Sequence, residues 1–160
     1  MEIFVAEYNS QNGKQGGRIA FRPPIKNGNE FLIAISTSLM SRVRKHYKED
    51  AKILFIDSTG SVDAHELVVT LVVVATCAGA LPMGITIAGS KSEETYTQAF
   101  DLLKMLTEEI DPTTSMQPNI GMTDHDESIR NSLKSVWPNI TLFLCLFHIL
   151  QAVWRHLMLS

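Results

Sequence analysis

Two aspartates, each at the end of an apolar run, are the residues in this sequence best suited to chemistry. Asp57 ends the run ILFID, and Asp124 ends the run IGMTD. A carboxylate at the end of a buried strand is costly unless a cation or hydrogen-bond donors use it. Two such carboxylates on neighbouring strands would form a site for a hard divalent cation such as Mg2+ or Mn2+. Two of these ions, about 4 Å apart, can activate an attacking oxygen and stabilise a leaving one in phosphoryl transfer.

A structural alternative exists for each of the two aspartates. Asp57 or Asp124 could simply begin a turn, with its side chain capping backbone N–H groups. This alternative stays open for each aspartate alone, whereas the matching positions of the two favour a shared site. Asp126 and Glu127 are typical of acids at the start of a helix.

Cys145 and His148 form a second candidate group, because residues one helical turn apart can face the same side of a helix. A zinc site generally needs three or four ligands, and the spacing of His125 does not demand that it join these two. Zinc binding within this chain is therefore not expected. A buried cysteine beside a packed histidine is the simpler interpretation.

The composition is typical of an intracellular globular domain. The 160 residues are 45% hydrophobic and 19% charged, and the net charge of −3 argues against a strongly basic nucleic-acid-binding face. Two cysteines provide no disulfide framework, which favours a reduced compartment. The start of the sequence has no signal-peptide pattern. The longest apolar stretch, residues 67–82, is too short to span a bilayer comfortably, so no membrane association is expected.

Residues 1–48 are predicted to form a loop-rich lead-in that ends in a helix. Glycine, proline and asparagine interrupt residues 1–30 repeatedly. Apolar residues at helical spacing then predict a helix over residues 31–47, although its first residues, FLIAI, could equally form a strand. The main domain is predicted to occupy residues 49–160.

The main domain is predicted to have the element order β-β-β-α-β-α-β-α. Strands joined by short turns pair antiparallel, and the helix at residues 92–110 then crosses over to a parallel strand. This order predicts an α/β fold with a mixed sheet and helices on both faces. If the strands at residues 52–57 and 119–123 are parallel neighbours, Asp57 and Asp124 share one rim. The other predicted segments are a turn at 58–65, strands at 67–78, 83–88 and 140–144, and helices that begin near Asp126 and Cys145.

Helix ends and faces can also be predicted. Ser90 and Glu93 predict a capping box before the first long helix, and Asp126 predicts the N-cap of the second. The last helix is expected to bury one apolar side and to leave its end exposed, which could promote self-association. The residues expected on its buried side are Leu146, Ile149, Leu150, Val153, Trp154 and Leu157.

The sequence resembles the transposase domain of Mutator-like elements (MULE) over about residues 50–158. The most specific block is T-D-x-D-x-x-x-R-x-x-[LI]-x-x-x-[WF]-P followed by C-x-x-H. It is carried here by Thr123, Asp124, Asp126, Arg130, Leu133, Trp137, Pro138, Cys145 and His148. Many animal relatives of that domain carry a SWIM-type zinc finger further on.

The resemblance implies a ribonuclease-H-like fold, a D-D-E triad that holds two Mg2+ or Mn2+ ions, and DNA as the partner. Asp57 would be the first acid and Asp124 the second, while Cys145 and His148 match a C-x-x-H signature of unknown role. Arg130 and Trp137 are interpreted as packing or helix-surface positions. A nuclear location is expected on the same grounds.

One departure from the family pattern affects the expected activity. No acidic residue follows Glu127, so a third acid is missing and the chain is expected to stop before the last catalytic helix. We therefore expect a transposase-derived core for DNA strand cleavage and transfer that is inactive alone. The alternative is a domesticated, non-catalytic module that binds DNA or protein.

Overall fold

The structure is a computed structural model that describes residues 1–24, 31–59 and 66–159. Seven strands form one mixed sheet in the order β1-β2-β5-β4-β3-β6-β7. The strands are β1 (Arg18–Arg22), β2 (Leu32–Ser36), β3 (Ile53–Thr59), β4 (Val68–Thr76), β5 (Gly79–Ala88), β6 (Ile120–Thr123) and β7 (Thr141–Leu144). The helices are α1 (Glu2–Asn12), α2 (Ser38–His46), α3 (Glu93–Ile110), α4 (Glu127–Val136) and α5 (Leu146–Leu159).

From β3 onward the order β-β-β-α-β-α-β-α is confirmed. β3, β4 and β5 form the predicted antiparallel meander, and β3 pairs with β6 in parallel, as β6 does with β7. β5 begins at Gly79, earlier than predicted, because the turn at residues 77–78 is tighter than expected. The predicted turn at 58–65 is wrong at its start, since β3 continues to Thr59, and its remainder lies outside the described residues.

The prediction of a loop-rich lead-in is wrong for the described part of residues 1–48. This region contains α1, β1, β2 and α2, and its two strands extend the sheet next to β5. The segment predicted as one helix over residues 31–47 divides at Thr37, whose side chain accepts a hydrogen bond from Met40 N–H at the start of α2. FLIAI becomes a strand because its residues pair with β1 on one side and β5 on the other.

The free edge of β1 is covered by a side chain of α1. Asn9 Nδ2 donates to the carbonyl oxygen of Ile19 at 2.9 Å, and Ile19 N–H donates to Asn9 Oδ1 at 2.8 Å. Because an unpaired strand edge is a template for pairing with another chain, this contact protects the sheet at β1.

The main core lies on one face of the sheet, which we call the core face. Leu54 and Ile56 of β3 point to it, and side chains of α2, α3 and α4 pack against them. Phe100 of α3 is fully buried between Tyr96 and Trp137, with ring centroids 6.2 Å from each. Successive strand residues alternate between faces, so Asp57 points to the opposite face.

The helix caps agree with the sequence in one case and differ in the other. Asp126 caps α4 as predicted, accepting hydrogen bonds from Ser128 N–H at 2.8 Å and Ile129 N–H at 3.3 Å. The predicted cap at Ser90 is wrong, because Ser92 is the N-cap of α3 and accepts from Thr95 N–H. The predicted cap lay two residues too early, whereas the predicted helix over residues 92–110 agrees with α3 to within one residue.

The predicted buried side of α5 is wrong. Large apolar side chains of this helix are exposed around its circumference, since α5 extends away from the core instead of packing on it. They are Leu146, Phe147, Ile149, Leu150, Val153, Trp154, Leu157 and Met158, each at least 41% exposed. Among the described residues, no helix has both the length and the apolar character needed to cross a membrane.

Candidate metal centre at the carboxyl rim

The pairing of β3 with β6 brings Asp57 and Asp124 to one rim of the sheet. In this parallel pair Leu54 lies opposite Gly121, and Phe55 lies opposite Met122. Continued for two residues, the same register places Asp57 level with Asp124, just beyond the last residue of β6. We call this edge the carboxyl rim. The side chain of Asp57 is 64% exposed there, and Asp124 is half-buried.

The carboxylate of Asp124 is held by the backbone that follows it. Its Oδ1 atom accepts a hydrogen bond from Asp126 N–H at 3.1 Å. The Asp124 side chain therefore does cap a backbone N–H, as the structural alternative predicted, but this contact uses only one of its oxygens. Asp126 is committed to capping α4 through its own Oδ1 atom.

The C-x-x-H signature lies beside these acids. Cys145 N–H donates to the carbonyl oxygen of Thr123 at 2.7 Å and so fixes the start of α5 to the end of β6. His148, in the first turn of α5, places its Nε2 atom 3.7 Å from Asp57 Oδ1. Its Nδ1 atom is buried and has no hydrogen-bond partner among the residues that the structure describes. The signature thus places His148 near the ends of the strands, next to Asp57, and leaves Cys145 only partly buried.

Arg130 lies at the same rim. The sequence predicted only a packing or surface position, but this side chain also hydrogen-bonds to the ends of two strands. Its Nη1 atom donates to Thr123 Oγ1 at 3.3 Å and lies 3.5 Å from the carbonyl oxygen of Phe143. Thr123 Oγ1 in turn donates to the carbonyl oxygen of Asp124 at 2.8 Å. Arg130 therefore connects α4 with the ends of β6 and β7. Trp137, by contrast, is a core residue, as predicted.

A polar network behind Asp57 was missed by the sequence analysis. Tyr96 of α3 donates its hydroxyl proton to Ser58 Oγ at 3.0 Å, and Ser58 Oγ lies 2.7 Å from Thr70 Oγ1. Ser58 directly follows Asp57, so these hydrogen bonds fix the backbone of β3 next to the Asp57 side chain. Tyr96 lies among apolar residues at helical spacing in α3, a pattern typical of ordinary core residues. The available signal was its hydroxyl, which needs a partner when buried.

Burial raises the pKa of Tyr96 above its ordinary value, while the hydrogen bond to Ser58 lowers it and the nearby Asp126 and Asp124 carboxylates raise it. Because the folded protein holds this proton more tightly than the unfolded chain, the contribution of Tyr96 to stability decreases as the pH rises above about 10. Ultraviolet titration of wild type against Tyr96→Phe should isolate a phenol with a midpoint above that value. A midpoint at or below it would contradict the buried placement.

The donor set at the carboxyl rim fits a hard divalent cation. Mg2+ is usually bound through one or two protein carboxylates and completes its shell with water and substrate phosphates. Asp57 and the oxygen of Asp124 that Asp126 leaves free supply that number. Within the ranges that the structure describes, no cluster of three or more histidine, cysteine or acidic residues could hold a metal ion.

The mixed sheet, its flanking helices and the paired acids at one rim are consistent with an α/β nuclease-like fold. The family model of the MULE transposase domain matches residues 53–152, which is more than half of the chain. The chain therefore belongs to the MULE transposase domain family. The match begins at β3 and ends within α5, so it contains both aspartates and the C-x-x-H signature. No curated protein matches the chain.

Proposed function

We propose that the chain is a transposase-derived, ribonuclease-H-like core for divalent-metal-dependent DNA strand cleavage and transfer. The parallel register of β3 and β6 carries this proposal, because it brings two carboxylates to the same rim. Membership of the MULE transposase domain family supports DNA as the substrate. A nuclear site of action follows from that substrate and is part of the proposal.

Asp57 and Asp124 would hold Mg2+ or Mn2+ in this function. When bound, such ions activate an attacking oxygen and stabilise the leaving oxygen of a phosphodiester. The protein's own contribution is to hold the carboxylates in place. Asp126 N–H fixes Asp124, and the hydroxyl network of Tyr96 and Ser58 fixes the strand beside Asp57.

The alternative function is a domesticated, non-catalytic module that binds DNA or protein. It is favoured by the open setting of Asp57, with 64% of its side chain exposed, and by the lack of a third ligand among the described residues. In this alternative the block from Thr123 to His148 serves packing and shape.

Calorimetric titration with MnCl2, followed by a plasmid-nicking assay, separates these functions. The proposed core binds Mn2+ with a Kd of about 1 mM or lower, a free energy of about −4 kcal/mol. Mn2+ binding without nicking would identify a core that is inactive alone. Absence of Mn2+ binding by the folded protein, with DNA binding retained, would favour the non-catalytic module.

We also propose that α5 pairs with a second copy of itself. Leu146, Leu150, Val153 and Leu157 follow one another at spacings of four, three and four residues, which is the spacing of a two-helix seam. Each of these side chains is more than half exposed. Light scattering at concentrations on the order of tens of micromolar should find a dimer that Leu150→Lys dissociates. A monodisperse wild-type monomer would contradict self-association.

A further inference from the structure

A buried arginine that has no ion-pair partner among the described residues lies at the rim opposite to the aspartates. Arg44 of α2 is only 1% exposed, yet both of its hydrogen bonds go to neutral oxygens. Nη1 donates to the carbonyl oxygen of Met83 at 2.8 Å, and Nη2 donates to Ser36 Oγ at 2.9 Å. The Nε atom is buried and has no partner. Buried charges are normally paired, so this arrangement is costly as it stands.

The electrostatics of Arg44 agree with this description. Desolvation by burial lowers the pKa of the Arg44 guanidinium to about 10, and the negative charge of Asp111 offsets this only in part. Asp111 forms no ion pair with Arg44, since the ion pairs of the described residues are elsewhere. Within the described ranges, no carboxylate contacts the guanidinium, although a buried arginine usually has such a partner.

A cavity of about 570 Å3 opens beside Arg44. Lys48 and Lys52 line it together with Glu49 and Glu108. Lys52 is paired with Glu49, and Glu108 accepts a hydrogen bond from Ser115 Oγ at 3.0 Å. Glu49 is thus paired with a cation, whereas Glu108 keeps its negative charge. Lys48 has no ion pair within the part of the chain that the structure describes, although its charge acts on the Asp111 carboxylate and lowers the pKa of that group.

Arg44 and Lys48 are four residues apart, and both line this cavity. Lys48 lies just beyond the end of α2, so two positive charges line the cavity at the C-terminal end of that helix, and an anion bound there would offset their repulsion. The volume is within the range of small-molecule sites, about 300–1,000 Å3. The hydroxyl groups of Thr113, Thr114 and Ser115 also line the cavity, but they already donate their protons to Asp111 and Glu108, so Lys48 is the donor that remains for an anion.

We propose that this cavity is a binding site for a phosphate-bearing anion, with Lys48 as the direct contact and Arg44 as the fixed charge behind it. The site is separate from the candidate metal centre. Lys52 precedes β3 and Gln117 precedes β6, so the cavity lies at the amino ends of the strands whose carboxyl ends lead to Asp57 and Asp124. Five residues of strand separate the two rims by about 16 Å.

Titration with sodium pyrophosphate, at constant ionic strength, tests the proposal in the intact chain. Wild type should bind pyrophosphate, and Lys48→Ala should weaken binding about tenfold, the effect of losing one charge-assisted contact. Lys48→Glu should abolish it. Lys48 is exposed, so neither variant threatens the fold. Lys91→Ala is the matched control, because Lys91 is also exposed and follows β5 at the carboxyl rim; it should bind like wild type.

A second arm identifies the source of the phosphate. A 5′-phosphorylated oligonucleotide that binds in a Lys48-dependent manner, with its unphosphorylated form failing, would assign a nucleic-acid end as the ligand. Lys48-dependent binding of pyrophosphate alone would assign a free small anion. Equal binding by wild type and Lys48→Glu, or no binding of either probe by the folded wild type, would overturn the proposal. Because neither probe requires Mn2+ or Asp57, this result is independent of the metal centre.

Discussion

Replacing either Asp57 or Asp124 by asparagine is expected to abolish the binding of Mn2+. Each substitution removes one of the two carboxylates that the register of β3 and β6 brings to the carboxyl rim. Loss of a direct ligand should cost more than the roughly 10–100-fold that changes in the surrounding shell cost. Calorimetric titration of each variant with MnCl2 measures the effect.

The thermal stability of the same two variants, measured without metal, is a second test of a functional site. Two carboxylates close together repel each other, so removing one charge should leave thermal stability unchanged or raise it when no metal is present. Asp101→Asn, a change of the same type at an exposed position of α3, should leave Mn2+ binding unaltered. If Asp57→Asn and Asp124→Asn bind Mn2+ as tightly as wild type does, these residues are turn formers and not ligands.

Phe100→Ala is expected to have the largest effect on stability. The ring is fully buried and packs between Tyr96 and Trp137, with centroid distances of 6.2 Å to each. Removing it leaves a cavity under the sheet and should lower the free energy of unfolding by about 3–5 kcal/mol. Urea denaturation followed by circular dichroism measures this loss.

The matched control for this substitution is Phe4→Ala in α1. Phe4 also lies on a helix, but it is 58% exposed, so the same chemical change should cost about 0.5 kcal/mol or less. Equal losses at Phe4 and Phe100 would contradict the position of the core on the α3 side of the sheet. A loss at Phe100 below about 1 kcal/mol would do the same.

Local sequence patterns sufficed to predict the type and order of the elements from β3 to α5. The run ILFID and the β-branched run of β4 read as strands, and the apolar stripe of α3 reads as a helix, because each pattern matches one periodicity. If the strand after α3 returned parallel to β3 and next to it, Asp57 and Asp124 would lie at one rim, and the pairing of β3 with β6 meets that condition.

Other features depend on contacts between distant parts of the chain and could not be predicted in this way. FLIAI satisfies a helix or a strand equally well, and only its pairing with β1 and β5 decides between them. The apolar side chains of α5 are exposed because the helix extends away from the core, and no local sequence pattern predicts the direction in which a helix extends. The network of Tyr96, Ser58 and Thr70 joins three elements, and the burial of Arg44 reverses the usual preference of arginine for the surface.

Asp57 and Asp124 are proposed to hold one metal site. Crystals soaked in MnCl2 test it most directly, since the anomalous scattering of manganese locates the ion independently of any activity. We expect an anomalous peak at the carboxyl rim within coordination distance of both carboxylates, about 2.2 Å. An ordered rim without such a peak, or manganese bound by other residues alone, would contradict it.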